Sequence, residues 1–104
     1  MNPWSTNKDS SIKLLLLHLE THINLDRLHL ILSDELNVKA VRLADTQIDS
    51  LSAYVYSYGQ SRGRYGIHLE FPAHSSHQTV NSDVYENLSF ARLIEVLTVH
   101  FNLI

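Results

Sequence analysis

The stretch LSAYVYSYGQSRGRYGIHLEF, residues Leu51–Phe71, holds two runs of β-branched and aromatic residues around a loop of Gly, Ser and Arg. The runs Leu51–Tyr58 and Tyr65–Phe71 predict two antiparallel strands, because such side chains suit a pleated, half-buried surface. All three glycines of the chain lie in this stretch, as expected where a hairpin needs positive φ or close backbone approach. The stretch therefore predicts a β-hairpin with a basic tip.

The hairpin also predicts which side chains share a face of the sheet. Because side chains alternate along a strand, Tyr54, Tyr56 and Tyr58 must lie on one face. We expect the helices to cover the opposite face. That face would carry Leu51, Ala53, Val55, Tyr65, Ile67, Leu69 and Phe71.

The N-terminal third of the chain is rich in leucine and predicts two helices. The first begins at Ile12 after an N-cap at Ser10 or Ser11, and its apolar row is Ile12, Leu15, Leu16 and Leu19. The second covers residues 25–36, where leucines recur at intervals of three and four. Its sub-run LHLIL also fits a short buried strand, because periodicity cannot separate the two in short apolar runs.

Two further elements complete the prediction. Val38–Ala44 predicts the first strand of the sheet, and residues 72–82 predict a polar loop. Asp83, followed three residues later by Glu86, resembles a capping box that opens a C-terminal helix. The apolar stripe of that helix is Phe90, Ile94, Leu97, Phe101 and Ile104.

The predicted fold class is α+β, in two layers. A three-stranded antiparallel meander is packed by two N-terminal helices and one C-terminal helix, in the order α-α-β-β-β-α. Residues 1–10 form a polar N-terminal lead, and residues 11–104 form a single domain.

Composition limits the setting of the protein. The 104 residues include no cysteine, which rules out a disulfide framework and thiolate chemistry and fits a reducing compartment. The N-terminus has no apolar core typical of a signal peptide, and the longest apolar run, Leu14–Leu17, is too short to cross a bilayer. We therefore expect a cytoplasmic protein with no membrane partner.

The predicted binding surface joins the tyrosine row to the basic tip of the hairpin. No acidic residue lies between Asp49 and Glu70, although the net charge of the chain is −3. Aromatic residues and arginine are enriched at protein interfaces. The predicted function is thus a non-enzymatic interaction or regulatory module of the inhibitor, immunity or adaptor type, self-associating as a homodimer. The surface comprises Tyr54, Tyr56, Tyr58, Arg62, Arg64 and His68.

Two alternative functions rest on the basic hairpin or on the histidines of the chain. The basic Arg62 and Arg64 hairpin could bind nucleic acid or a small anion, although the acidic net charge argues against nucleic acid. The seven histidines could instead support a metal-dependent enzyme or sensor. The weak metal candidates are the pair His18 and His22, four residues apart, and the pair His74 and His77.

Catalytic and cofactor motifs do not appear in the sequence. There is no G-x-S-x-G elbow, P-loop or G-x-G-x-x-G motif, and the glycines of GQSRGRYG have the wrong spacing for phosphate loops. The sequence therefore predicts neither an enzyme nor a bound cofactor.

Overall fold

The computed structural model of the chain describes residues 8–22, 28–31, 37–48, 50–72 and 82–103. Within these residues the chain forms two helices and five strands. In chain order they are α1 (Ser10–His22), β1 (Leu28–Ile31), β2 (Ala40–Asp45), β3 (Ser52–Tyr56), β4 (Tyr65–Glu70), β5 (Ser82–Leu88) and α2 (Phe90–Phe101).

The five strands form one antiparallel sheet in which sequence neighbours are also spatial neighbours, in the order β1-β2-β3-β4-β5. Strand β3 is the central strand. Its register places Tyr54 between Arg42 on β2 and His68 on β4. The residues of the central hairpin are therefore held from both sides, whereas β1 and β5 lie at the edges of the described sheet.

The hydrophobic core lies between one face of the sheet and the two helices. Ile12, Leu15, Leu16 and Leu19 of α1 are all fully buried, which confirms the predicted apolar row of the first helix. The predicted covered face is also confirmed, since six of its seven residues are buried in the core and Phe71 packs partly buried against it. The six are Leu51, Ala53, Val55, Tyr65, Ile67 and Leu69.

The prediction of a three-stranded meander with three helices is wrong. The predicted second helix, residues 25–36, contains strand β1, which pairs with β2 so that Leu28 faces Asp45 and Ile31 faces Arg42. The apolar run LHLI carries too little periodicity to separate helix from strand. Backbone pairing with β2, which lies outside the segment, decides the outcome.

The predicted capping box at Asp83 and Glu86 is also wrong. Both residues lie in strand β5, where Asp83 faces Leu69 on β4. The true N-cap of α2 is Ser89, whose hydroxyl accepts a hydrogen bond from the backbone N–H of Arg92. The aspartate-to-glutamate spacing is common by chance, and here the edge of β4 offers a partner for the segment.

Helix α1 begins at Ser10, two residues before the predicted start at Ile12, so both predicted caps, Ser10 and Ser11, lie inside the helix. The Asp9 carboxylate accepts hydrogen bonds from the backbone N–H and the hydroxyl of Ser11, at 3.1 and 2.7 Å. These bonds hold the pKa of the Asp9 carboxyl below its ordinary value. Asp9 also donates its N–H to the Val38 carbonyl, which ties the helix start to the segment before β2.

The described residues were compared with the length and hydropathy that a membrane-spanning helix needs. Neither α1 nor α2 is long and apolar enough to cross a bilayer.

Candidate functional site

The tyrosine row lies on the sheet face opposite the helices. Tyr54 and Tyr56 pack with ring centroids 5.7 Å apart, and Tyr56 stacks on Tyr58 at 4.8 Å. Tyr56 in the middle of the row is 8% exposed, and Tyr58 at its end is 40% exposed. The middle of the row is therefore buried and this end is accessible to solvent. None of the three belongs to the core cluster between sheet and helices.

A glycine on the neighbouring strand makes room for the central tyrosine. Gly66 faces Tyr56 in the β3–β4 register. A Cβ atom added at Gly66 would lie inside van der Waals contact of the far end of the Tyr56 ring. The far end of the ring therefore lies over Gly66 of β4, which is the close approach that the glycine content of the hairpin predicts.

Polar contacts from β5 and the β3–β4 loop hold the ring in place. The Tyr56 hydroxyl and the Gln60 side-chain amide both donate to the Glu86 carboxylate, each at 3.0 Å. Gln60 in turn accepts the backbone N–H of Asn87, which has φ +60° at a register shift between β4 and β5. Burial, reinforced by the Glu86 hydrogen bond, raises the pKa of Tyr56 to about 12, so the phenol stays neutral.

A second row of side chains crosses the same face at Tyr54. The registers place Arg42, Tyr54, His68 and Val84 side by side on four adjacent strands. The Arg42 guanidinium lies 5.4 Å from the centroid of the Tyr54 ring and pairs with the Glu70 carboxylate. We call the six residues of the two rows the tyrosine face. They are Arg42, Tyr54, Tyr56, Tyr58, His68 and Val84.

The predicted binding surface is split between two sides of the sheet. The three tyrosines and His68 share the tyrosine face, but Arg62 and Arg64 line a cavity on the helix side. This hairpin cavity has a volume of about 770 Å³ between the β3–β4 loop and the start of α1. Its lining residues are Asp9, Ser10, Ser11, Leu14, Lys39, Ser57, Gln60, Ser61, Arg62, Gly63, Arg64 and Tyr65.

A groove between α2 and the β4–β5 edge was not predicted from the sequence. Its volume is about 460 Å³, and apolar side chains of Phe71, Tyr85 and Val99 contribute to its lining. No sequence signal could have located it while residues 83–88 were assigned to a helix. Only the pairing of β5 with β4 creates one of its walls.

His100, which lines this groove, is a partly buried imidazole with a shifted pKa. Its Nε2 lies 2.8 Å from the Ser52 carbonyl oxygen, and its ring packs edge-on against Phe71 and Phe101. Its buried Nδ1 has no well-formed hydrogen bond to a described residue. Burial lowers the pKa of His100, and the Ser52 contact, the Asp83 charge and the Glu70 backbone partly offset that effect.

The His100 environment predicts a loss of stability in mild acid. Because its pKa is lower in the folded than in the unfolded protein, the unfolded state binds more protons below the ordinary value of 6.5. The stability present above pH 6.5 should therefore decline as the pH falls from there toward the folded pKa. We expect His100→Gln, which keeps an amide donor for the Ser52 carbonyl, to show a smaller decline.

The measurement is the melting temperature of both proteins between pH 7.5 and 5. The difference between them isolates His100 from the other six histidines. If the melting temperatures of the wild type and His100→Gln fall equally with pH, His100 is not the source of the loss of stability in acid.

The metal candidates are not brought together by the described structure. His18 packs edge-on against Phe90 with ring centroids 5.4 Å apart. His22 ends α1, and His74 and His77 lie outside the described residues. In the described part of the chain, no group of three or more His, Asp or Glu side chains could hold a metal ion. The metal hypothesis stays a prediction.

Comparison with known proteins gives no relationship. No family model, curated protein or solved structure matches this chain significantly. Functional inference therefore depends on the two surfaces of the hairpin.

Proposed function

We propose that this chain is a non-enzymatic protein-interaction module that pairs with a second copy of itself through the tyrosine face. The observation that carries the proposal is the position of Tyr54, Tyr56 and Tyr58, on the sheet face that neither described helix covers. Rigid aromatic side chains contribute large contact areas at low entropic cost, and they recur as the energetic centres of interfaces.

The charges at the face determine how strongly two copies repel each other. Arg42 and Glu70 neutralise each other, and Glu86 is engaged by Tyr56 and Gln60. Glu86 keeps its negative charge, so two identical faces would meet with one net negative charge on each copy. A two-fold axis would bring the same surface of both copies together, which is the commonest geometry of homodimers.

The dimensions of the face predict a weak dimer. Four strands about 4.8 Å apart and about six residues long, at about 3.3 Å per residue, give a footprint of roughly 380 Å². Stable complexes usually bury about 800 Å² on each partner. We therefore expect association that depends on protein concentration in the micromolar range rather than a permanent dimer.

Sedimentation velocity over a range of protein concentrations tests the proposal. We expect wild-type protein to shift from monomer to dimer, and Tyr58→Asp to raise the dimer dissociation constant at least about tenfold, because symmetry would place two carboxylates at the interface. Tyr58 is chosen because it is the exposed end of the row.

Val99→Asp is the matched control, since Val99 is 80% exposed on α2, on the other side of the sheet. It introduces the same charge and should leave the dissociation constant unchanged. A wild-type protein that stays monomeric at the highest concentration, or a dimer disrupted by Val99→Asp and not by Tyr58→Asp, would overturn the proposal.

A further inference from the structure

The hairpin cavity carries three cationic side chains from two separate segments. Arg62 and Arg64 come from the β3–β4 loop, and Lys39 comes from the turn before β2. All three residues are exposed. Two segments distant in sequence thus present cations to one cavity. The positive charge is therefore a result of the fold and not of the composition of one loop.

The two arginines of the cavity are only weakly engaged by the protein, whereas the Lys39 charge acts on the Asp9 carboxylate. Arg62 makes no hydrogen bond or ion pair to the other described residues, and Arg64 has one long contact of 3.5 Å, to the Asn87 carbonyl. The Asp9 carboxylate is the one acid in the lining, and it is committed to capping α1 through Ser11. The lining therefore has three cations against one carboxylate.

The remaining walls are polar and well fixed. The Ser11 and Ser57 hydroxyls lie 2.8 Å apart, and the Tyr65 hydroxyl donates to the Ser11 carbonyl at 2.9 Å. These bonds fasten the start of α1 to both strands of the central hairpin. These bonds fix that part of the lining, and Ser10, Ser61 and the exposed Leu14 are further lining residues.

We propose that the hairpin cavity binds a small phosphate monoester, with Arg62, Arg64 and Lys39 holding the phosphate. The two net positive charges of the lining match the dianion of a monoester above its second pKa of about 6. Arginine offers paired N–H donors in the geometry of phosphate oxygens. A volume of about 770 Å³ exceeds what phosphate alone needs and leaves space for an organic body against Leu14.

This site does not need the proposed dimer, because its three cations lie outside the tyrosine face, although Gln60 lines the cavity and also contacts Glu86 beside Tyr56. Its test can therefore succeed or fail without reference to self-association. Binding by an oligonucleotide backbone would use the same arginines, so the experiment must separate a small ester from a nucleic acid.

Titration with phenyl phosphate, followed by backbone amide NMR shifts, tests the site. Phenyl phosphate combines a dianion with an apolar ring, and benzoate provides a similar ring with a single charge. We expect saturable shifts at Ser10, Ser11 and residues 61–64, a dissociation constant of about 1 mM or below, and binding by benzoate at least about tenfold weaker.

The double variant Arg62→Gln and Arg64→Gln should weaken phenyl phosphate binding at least about tenfold. Arg92→Gln is the matched control, because Arg92 is exposed on α2 and pairs with Glu95. Unchanged melting temperatures would show that the variants are folded; if the double variant is unfolded, Lys39→Gln replaces it with the same expected direction.

Three results would overturn the proposal. The first is the absence of saturable shifts up to about 10 mM phenyl phosphate. The second is an equal loss of binding in the Arg92→Gln control. The third is binding of a single-stranded oligonucleotide through Arg62 and Arg64 by a protein that does not bind phenyl phosphate.

Discussion

Phe101→Ala is expected to lower the free energy of unfolding by about 3–5 kcal/mol, the usual cost of removing a buried phenylalanine ring. Phe101 is the last residue of α2, is fully buried, and belongs to the core cluster between sheet and helices. Since small domains have total stabilities of about 5–15 kcal/mol, the variant should lose a fifth or more of its stability.

Urea denaturation, followed by circular dichroism, measures this change. Val99→Ala provides the comparison on the same helix, because Val99 is 80% exposed, and we expect a change within about 0.5 kcal/mol. The contrast tests whether α2 docks on the sheet through its final turn. Equal small effects at both positions would mean that this turn does not pack as described.

Gly66→Ala is expected to destabilise the protein by about 1–3 kcal/mol, because overpacking forces side chains from their positions. The new methyl group would collide with the far end of the Tyr56 ring. The ring would have to leave its place over β4, and its hydrogen bond to Glu86 and its stacking on Tyr58 would be lost. The proposed dimer should weaken in the same variant.

A double-mutant cycle separates this steric effect from the general effect of alanine in a strand. In a Tyr56→Ala background the obstacle is gone, so Gly66→Ala should be neutral or stabilising by up to about 1 kcal/mol, through the lower entropy of the unfolded chain. Urea unfolding of the wild type, both single variants and the double variant provides the four values. Additive effects would show that the ring does not lie over Gly66.

The central hairpin could be predicted because its signals are local. Alternating β-branched and aromatic residues predict strands, and the glycines mark the positions where the backbone turns or approaches a ring. Gly59 and Gly63 have φ values of +69° and +77°, and Gly66 receives the Tyr56 ring. The face assignment of the tyrosines followed from alternation alone.

The edges of the sheet could not be predicted for a different reason. The four residues of β1 form an apolar run that fits either state, and β5 begins with a spacing that resembles a helix cap. In both segments the conformation is decided by pairing with an adjacent strand that lies outside the segment. Such partners leave no trace in the local pattern of the segment itself.

The candidate sites also combine properties that the local sequence determines with contacts that only the folded chain creates. The sequence by itself determined that Tyr54, Tyr56 and Tyr58 share a face and that α1 has one apolar row, because both properties follow from backbone periodicity. Only the tertiary structure decided that Arg62 and Arg64 join Lys39 on the helix side, and that β5 supplies Glu86 to Tyr56. The physical reason is that such contacts depend on strand order and register, which are properties of the whole packed sheet.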